Sequence, residues 1–164
     1  MAITKVIISN RQKEIKIPAG VRLLMRRCCQ AVLQEEGFPE PAEICISFIS
    51  NEEIKKLNHE FRGVDAVTDV LSFPLGENGV YDRNPDTGAL QLGDIAISMQ
   101  KAEQQAEQYG HTLQREVAYL TVHSTLHLLG YDHVNGGLEK TIMREKEEEA
   151  LGRLGLTRDN TYVE

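Results

Sequence analysis

Three of the five histidines in this 164-residue chain, His123, His127 and His133, fall within eleven residues. His123 and His127 are four apart, so on a helix they lie one turn apart on the same face and can point at one ion. Gly130 lets the backbone turn after that helix, and His133 can then swing back as a third ligand. Three imidazole nitrogens with one open position is the arrangement of catalytic zinc, because a structural site is closed by a fourth protein ligand. Imidazole also suits nickel, copper or iron, so the spacing predicts a metal more firmly than it predicts zinc. The residue after His123 is Ser124, where the zinc-peptidase pattern His-Glu-x-x-His places its general base. A hydroxyl without an adjacent base cannot take a proton from water at neutral pH, which counts against peptide hydrolysis by that route. Glu116, seven residues before His123 on the same helical stripe, reads as an orienter or distant base for the site, or as an ordinary surface carboxylate.

The helix that carries two of these histidines is predicted over 112–129. Leu113, Val117, Leu120, Val122, Leu126, Leu128 and Leu129 leave little polar surface on it, so it belongs in the interior. Imidazoles there are costly unless each finds a partner. Upstream, alternating or branched apolar runs predict strands at 3–9, 43–49, 69–74 and 92–98. Helical periods predict helices over 21–36, over a short segment capped by Ser50 and ending near Phe61, over 99–109, and over 138–151. Residues 76–89 hold three Gly, two Asn, two Asp and Pro85, which reads as a long loop. Strands come early and two long helices come late, so the expected fold class is α+β, a mixed four-stranded sheet packed with helices. No repeat or linker interrupts the chain, and residues 1–164 read as one domain.

Apolar residues at 41% and charged residues at 26% are ordinary for a globular protein. No apolar run reaches membrane-spanning length, and the N-terminus lacks the features of a signal peptide. Cys28, Cys29 and Cys45 form an odd set with an adjacent pair, a poor disulfide framework that points to free thiols in the cytoplasm. The net charge of -7 argues against indiscriminate nucleic-acid binding. Its distribution is uneven: residues 1–62 carry +2 and residues 63–164 carry -9. Glu145, Glu147, Glu148 and Glu149 read as a solvated helix face. Arg22, Arg26 and Arg27 are the strongest basic cluster.

The segment from His123 to His133, His-Ser-Thr-Leu-His-Leu-Leu-Gly-Tyr-Asp-His, resembles the signature of the YbeY family of bacterial endoribonucleases, the rRNA maturation factors. That pattern is His-Gly-x-Leu-His-Leu-x-Gly-Tyr-Asp-His, so Ser124 departs from it at one position. Leu57-Asn58-His59-Glu60-Phe61-Arg62, Thr68-Asp69-Val70-Leu71-Ser72-Phe73 and Leu92-Gly93-Asp94-Ile95 are similar to further family blocks. Met143 stands at the family's spacing, whereas Val134 replaces a common acidic residue. The resemblance covers roughly residues 45–151. It implies a zincin-like α+β fold and one zinc ion per chain on His123, His127 and His133. It also implies a single-strand-specific endoribonuclease acting in 16S rRNA 3′-end maturation and late 70S ribosome quality control. Its partners would be single-stranded RNA, as an rRNA precursor, and the ribosome or ribosomal proteins, with no membrane and no DNA. Arg62 matches the family's catalytic arginine. A guanidinium beside a zinc-activated water could hold a scissile phosphate and neutralise charge developing on its oxygens. If RNA is the substrate, the arginines at 22, 26 and 27 are a candidate path for its backbone. Two other readings stand beside this one: a zinc-dependent hydrolase of a small ester, amide or peptide, and a non-catalytic ribosome-assembly factor with structural zinc.

Overall fold

A computed structural model describes residues 3–131 and 137–156. In chain order the elements are β1 (Thr4–Asn10), α1 (Val21–Glu35), β2 (Ala42–Ile49), α2 (Asn51–Arg62), β3 (Val70–Pro74), β4 (Gly76–Glu77), β5 (Val80–Tyr81), β6 (Leu90–Ser98), α3 (Met99–Tyr109), α4 (Leu113–Leu128) and α5 (Gly137–Arg153). The main sheet has the order β1-β2-β6-β3. β1, β2 and β6 run parallel, and β3 lies antiparallel to β6 at the edge. This is the expected α+β architecture with a mixed four-stranded sheet. Parallel pairing needs a crossover, and α1 supplies the one between β1 and β2.

Alternation along the strands splits the interior in two. Ile44, Ile46 and Phe48 of β2 and Ile95 and Ile97 of β6 share one core with residues of α1, α3 and α4. On the other face Leu71 and Ala96 pack with Ile54 of α2, and Leu57 and Phe73 lean against them. A third cluster joins α4 to α1 and α5 through Ala118, Val122 and Leu126, with Cys28, Val32, Met143 and Leu151. The sheet, α1 and α5 thus surround α4, which is why its sequence is apolar nearly all round. Ser50, Ser98 and Thr112 cap α2, α3 and α4, each accepting from the backbone N–H three residues on.

The segment 76–89 departs from expectation. Its first part is a small hairpin of β4 and β5, turned by Asn78 (φ 56°) and Gly79 (φ 77°), the backbone that a two-residue primed turn requires. The Tyr81 hydroxyl donates to the carbonyl of Leu128 at 2.6 Å, and Thr87 donates to the Glu43 carboxylate at 2.6 Å. The segment is therefore tied to the C-terminal end of α4 by Tyr81 and to β2 by Thr87. Two-residue strands are too short to show alternation, although the Asn-Gly pair was a usable turn signal. Gly93 has a packing reason for its identity: a Cβ there would lie 2.5 Å from the carbonyl oxygen of Phe73 and 2.7 Å from Leu128 Cδ2. The Phe73 carbonyl is the obstacle that cannot give way, so β3 could not pair with β6 here over any other residue.

Cys28 and Cys29 are buried thiols, and Cys45 is a half-buried one. Burial pushes Cys29 up to about 12, and burial followed by proximity to Cys29 raises Cys28 further. No helix among the described residues is long and apolar enough to cross a membrane.

Candidate active site

Helical spacing does bring His123 and His127 together: their Nε2 atoms stand 3.1 Å apart. Their other ring nitrogens are held from behind. His123 Nδ1 lies 2.5 Å from Glu147 Oε2, and His127 Nδ1 lies 2.8 Å from the backbone carbonyl of Tyr131. A carboxylate and a carbonyl are acceptors, so both Nδ1 atoms carry the proton and both Nε2 atoms present lone pairs. Two lone pairs facing each other at this distance repel unless a cation or a shared proton lies between them. Two nitrogens on a tetrahedral zinc, each at the usual bond length, would be about 3.3 Å apart. The donor set and its backing therefore fit a metal, with the buried acceptors fixing tautomer and ring orientation. His133, the expected third ligand, lies outside the described residues. Among the described residues no third His, Cys, Asp or Glu completes a metal-binding group.

Glu147 corrects an expectation. The acidic run of α5 was predicted to be a solvated face, and Glu145 and Glu149 are exposed. Glu147 is only 7% exposed and sits on the buried stripe of Met143, Ala150 and Leu151. The signal lay in the sequence: a carboxylate four residues after Met143 and four before Leu151 must face inward with them. Ser124, between the two histidines in sequence, is fully buried, and its hydroxyl has no partner among the described residues.

Tyr131 is positioned in turn by two other helices. Its hydroxyl donates to Glu36, just past the end of α1, and Lys146 of α5 contacts the same carboxylate at 2.8 Å. The Lys146 ammonium also stands 5.2 Å from the centre of the Tyr131 ring. These contacts fix the backbone whose carbonyl orients His127.

His123, His127 and Tyr131 open onto a cleft of about 560 Å³, walled by β3 and the end of α2. Arg62 lines the same cleft, although it lies sixty-one positions before His123 in the chain. It is exposed and forms none of the ion pairs found among the described residues. Its turn is firmly held. Gly63 closes α2 at φ 70°, donating to the carbonyls of Asn58 and His59. The buried Asn58 side chain donates to the Ala66 carbonyl at 2.9 Å.

Asp69 also lines the cleft and is fixed by the Val70 N–H at 2.7 Å. Behind it the Gln105 amide contacts Asp69 Oδ2 at 3.2 Å and Glu116 Oε2 at 2.8 Å. Glu116 Oε1 holds His111 Nε2 at 2.6 Å. At 2% exposure Glu116 is no surface carboxylate, and it belongs to a buried network that ties α3 and the start of α4 to the cleft wall. Arg22, Arg26 and Arg27 are exposed on α1, which packs against α4, and none of them lines the cleft.

Comparison with known proteins agrees with the resemblance. The profile of the family described as Endoribonuclease YbeY matches residues 7–155. A protein of Pelotomaculum thermopropionicum named Endoribonuclease YbeY is 51% identical over 153 residues, covering 93% of this chain and 99% of that protein. One of the same name from Caldanaerobacter subterraneus subsp. tengcongensis is 50% identical over 158 residues, with the same two coverages. A solution structure of a Thermotoga maritima protein matches at a TM-score of 0.57 and 27% identity, over 92% of this chain and 91% of that one.

Proposed function

The chain belongs to the YbeY family of endoribonucleases, and from that premise we propose that it cuts single-stranded RNA using a zinc ion held by His123, His127 and His133. Its substrate on this reading is an rRNA precursor at the 16S 3′ end, met on the ribosome, where the same activity serves late 70S quality control. The observation that carries the proposal is the convergence of two backed imidazoles and an arginine on one cleft. When bound, zinc supplies Lewis acidity and brings the pKa of a water toward neutrality.

The remaining work falls to side chains of this protein. Glu147 and the Tyr131 carbonyl keep the Nδ1 protons in place, so both Nε2 atoms stay available as donors to the metal. Arg62 offers a planar fork of N–H groups suited to two phosphate oxygens, and it stabilises charge that grows on them as the phosphodiester is attacked. A guanidinium with no carboxylate partner among the described residues can make those contacts without giving up an ion pair to any of them. The exposed cation also offsets locally a chain whose net charge of -7 would repel a polyanion.

The test is cleavage of end-labelled single-stranded RNA and of the matched duplex by rigorously nuclease-free protein. Cutting confined to the single strand, abolished by a chelator and restored by zinc, supports the proposal. Cutting that survives complete metal removal, or no cutting at all, sinks it.

A further inference from the structure

Arg62 has a neighbour that phosphate chemistry does not explain. Phe61, the residue before it, is 60% exposed, although most large apolar side chains in the protein are buried. It lines the same cleft as Arg62, His123 and His127. Its ring is not loose. Phe73 of β3 meets it edge-on, with ring centroids 5.2 Å apart and planes at 68°, and Phe73 itself leans on the core beneath α2. The Asn58 and Gly63 contacts that hold Arg62 hold this turn as well.

We propose that Phe61 is the platform on which a nucleobase next to the scissile phosphate stacks, and that it makes the cleft selective for single strands. The inference rests on the endoribonuclease reading of the cleft. An aromatic ring fixed by a neighbour loses little freedom when a base covers it. Consecutive residues then offer the two features of a nucleotide their natural complements, a guanidinium for the phosphate and a π-face for the base. Only an unpaired strand can turn out a base to meet that face, because bases in a duplex are already stacked on each other. Every base has such a face, so the platform gives affinity without choosing a sequence.

The experiment compares Phe61→Ala, Phe61→Leu and Phe61→Trp with the wild-type protein, after zinc content and thermal unfolding have shown each to be folded and loaded. By the usual worth of one base–aromatic stack, Phe61→Ala and Phe61→Leu lower kcat/KM on single-stranded oligoribonucleotides by roughly five- to a hundredfold. Phe61→Trp stays near the wild type. The chain contains no tryptophan, so in that variant the new indole is the sole tryptophan emitter, and a single-stranded oligoribonucleotide should quench it while a duplex does not. Full activity in Phe61→Leu, or indole fluorescence indifferent to single-stranded RNA, overturns the platform. Absence of cleavage by the wild type would instead refute the endoribonuclease reading, while the quenching titration, which reads binding alone, would still decide the stacking.

Discussion

α4 presents two histidine–carboxylate pairs that look alike on paper. His111, just before the helix, contacts Glu116 at 2.6 Å, and His123 contacts Glu147 at 2.5 Å. The first pair is closed off, with side chains 2% and 3% exposed, and the second is more open at 17% and 9%. What differs is where the chain of contacts leads. From Glu116 it runs through Gln105 to the wall of the cleft. From His123 it runs to His127 Nε2, inside the cleft that Arg62 lines. On the proposed function one pair is scaffolding and the other is backing for a metal ligand, and neither residue type nor contact distance distinguishes them.

Substitutions can break this contrast at several points. The largest effect is expected from Arg62→Ala, which touches the chemistry and neither pair. It should keep its zinc and its unfolding temperature while losing about a hundred- to thousandfold in turnover, or ~2.7–4 kcal/mol, the usual worth of one donor to a developing oxyanion. Unchanged turnover on single-stranded RNA would remove Arg62 from the mechanism.

Glu147→Gln addresses the open pair. Losing the carboxylate behind a ligand histidine typically weakens metal affinity about 10- to 100-fold, and competition with a chromogenic chelator measures it. Wild-type affinity would mean that Glu147 is only structural. Glu116→Ala addresses the closed pair and should do the reverse. It removes the buried carboxylate that His111 and Gln105 share, leaving Gln105 only its contact with Asp69, at a cost of about 1–3 kcal/mol of stability, with zinc affinity unaltered. A variant that loses zinc while keeping its denaturation midpoint would erase the distinction between the pairs.

An effect that stays silent until the pH is high concerns the opposite side of α4, where Cys29 of α1 meets the Thr125 hydroxyl at 3.6 Å. A thiol in the unfolded chain loses its proton near 9, whereas burial holds Cys29 protonated up to about 12. The folded state therefore binds more protons in between. The resulting stability is complete below pH 9 and is lost as pH rises from there toward 12. Urea midpoints followed through that range should fall in the wild type and fall less in Cys29→Ala; parallel curves would argue against the linkage.

Much of this arrangement was legible in the sequence because it is local. The period of four between His123 and His127, the cap at Ser50, the end of α3 before Gly110 and the alternation of β2 each depend on residues within a turn or a strand of one another. Even the link from Arg62 to the histidines could be anticipated only through family resemblance, since nothing in the chain between them encodes their proximity. Glu147 was misassigned because the charge of its neighbours outweighed its own place on an apolar stripe. Glu116 was placed on the right helix, but its role depends on Gln105 and His111, which tertiary packing alone brings to it. The small hairpin after β3 owes its order to Tyr81 reaching the end of α4, a contact no local pattern announces.

Metal content decides whether the imidazoles converging at the end of α4 hold a catalytic metal. Wild-type protein and His127→Ala, purified together without added metal, should be analysed for zinc per chain and for unfolding temperature with and without a chelator. Close to one zinc is expected in the wild type and far less in His127→Ala. The chelator should also lower the wild-type unfolding temperature toward that of the variant, since a metal bound only by the folded state stabilises it. Equal zinc in the two proteins, with the same response to the chelator, would contradict a metal held by these imidazoles.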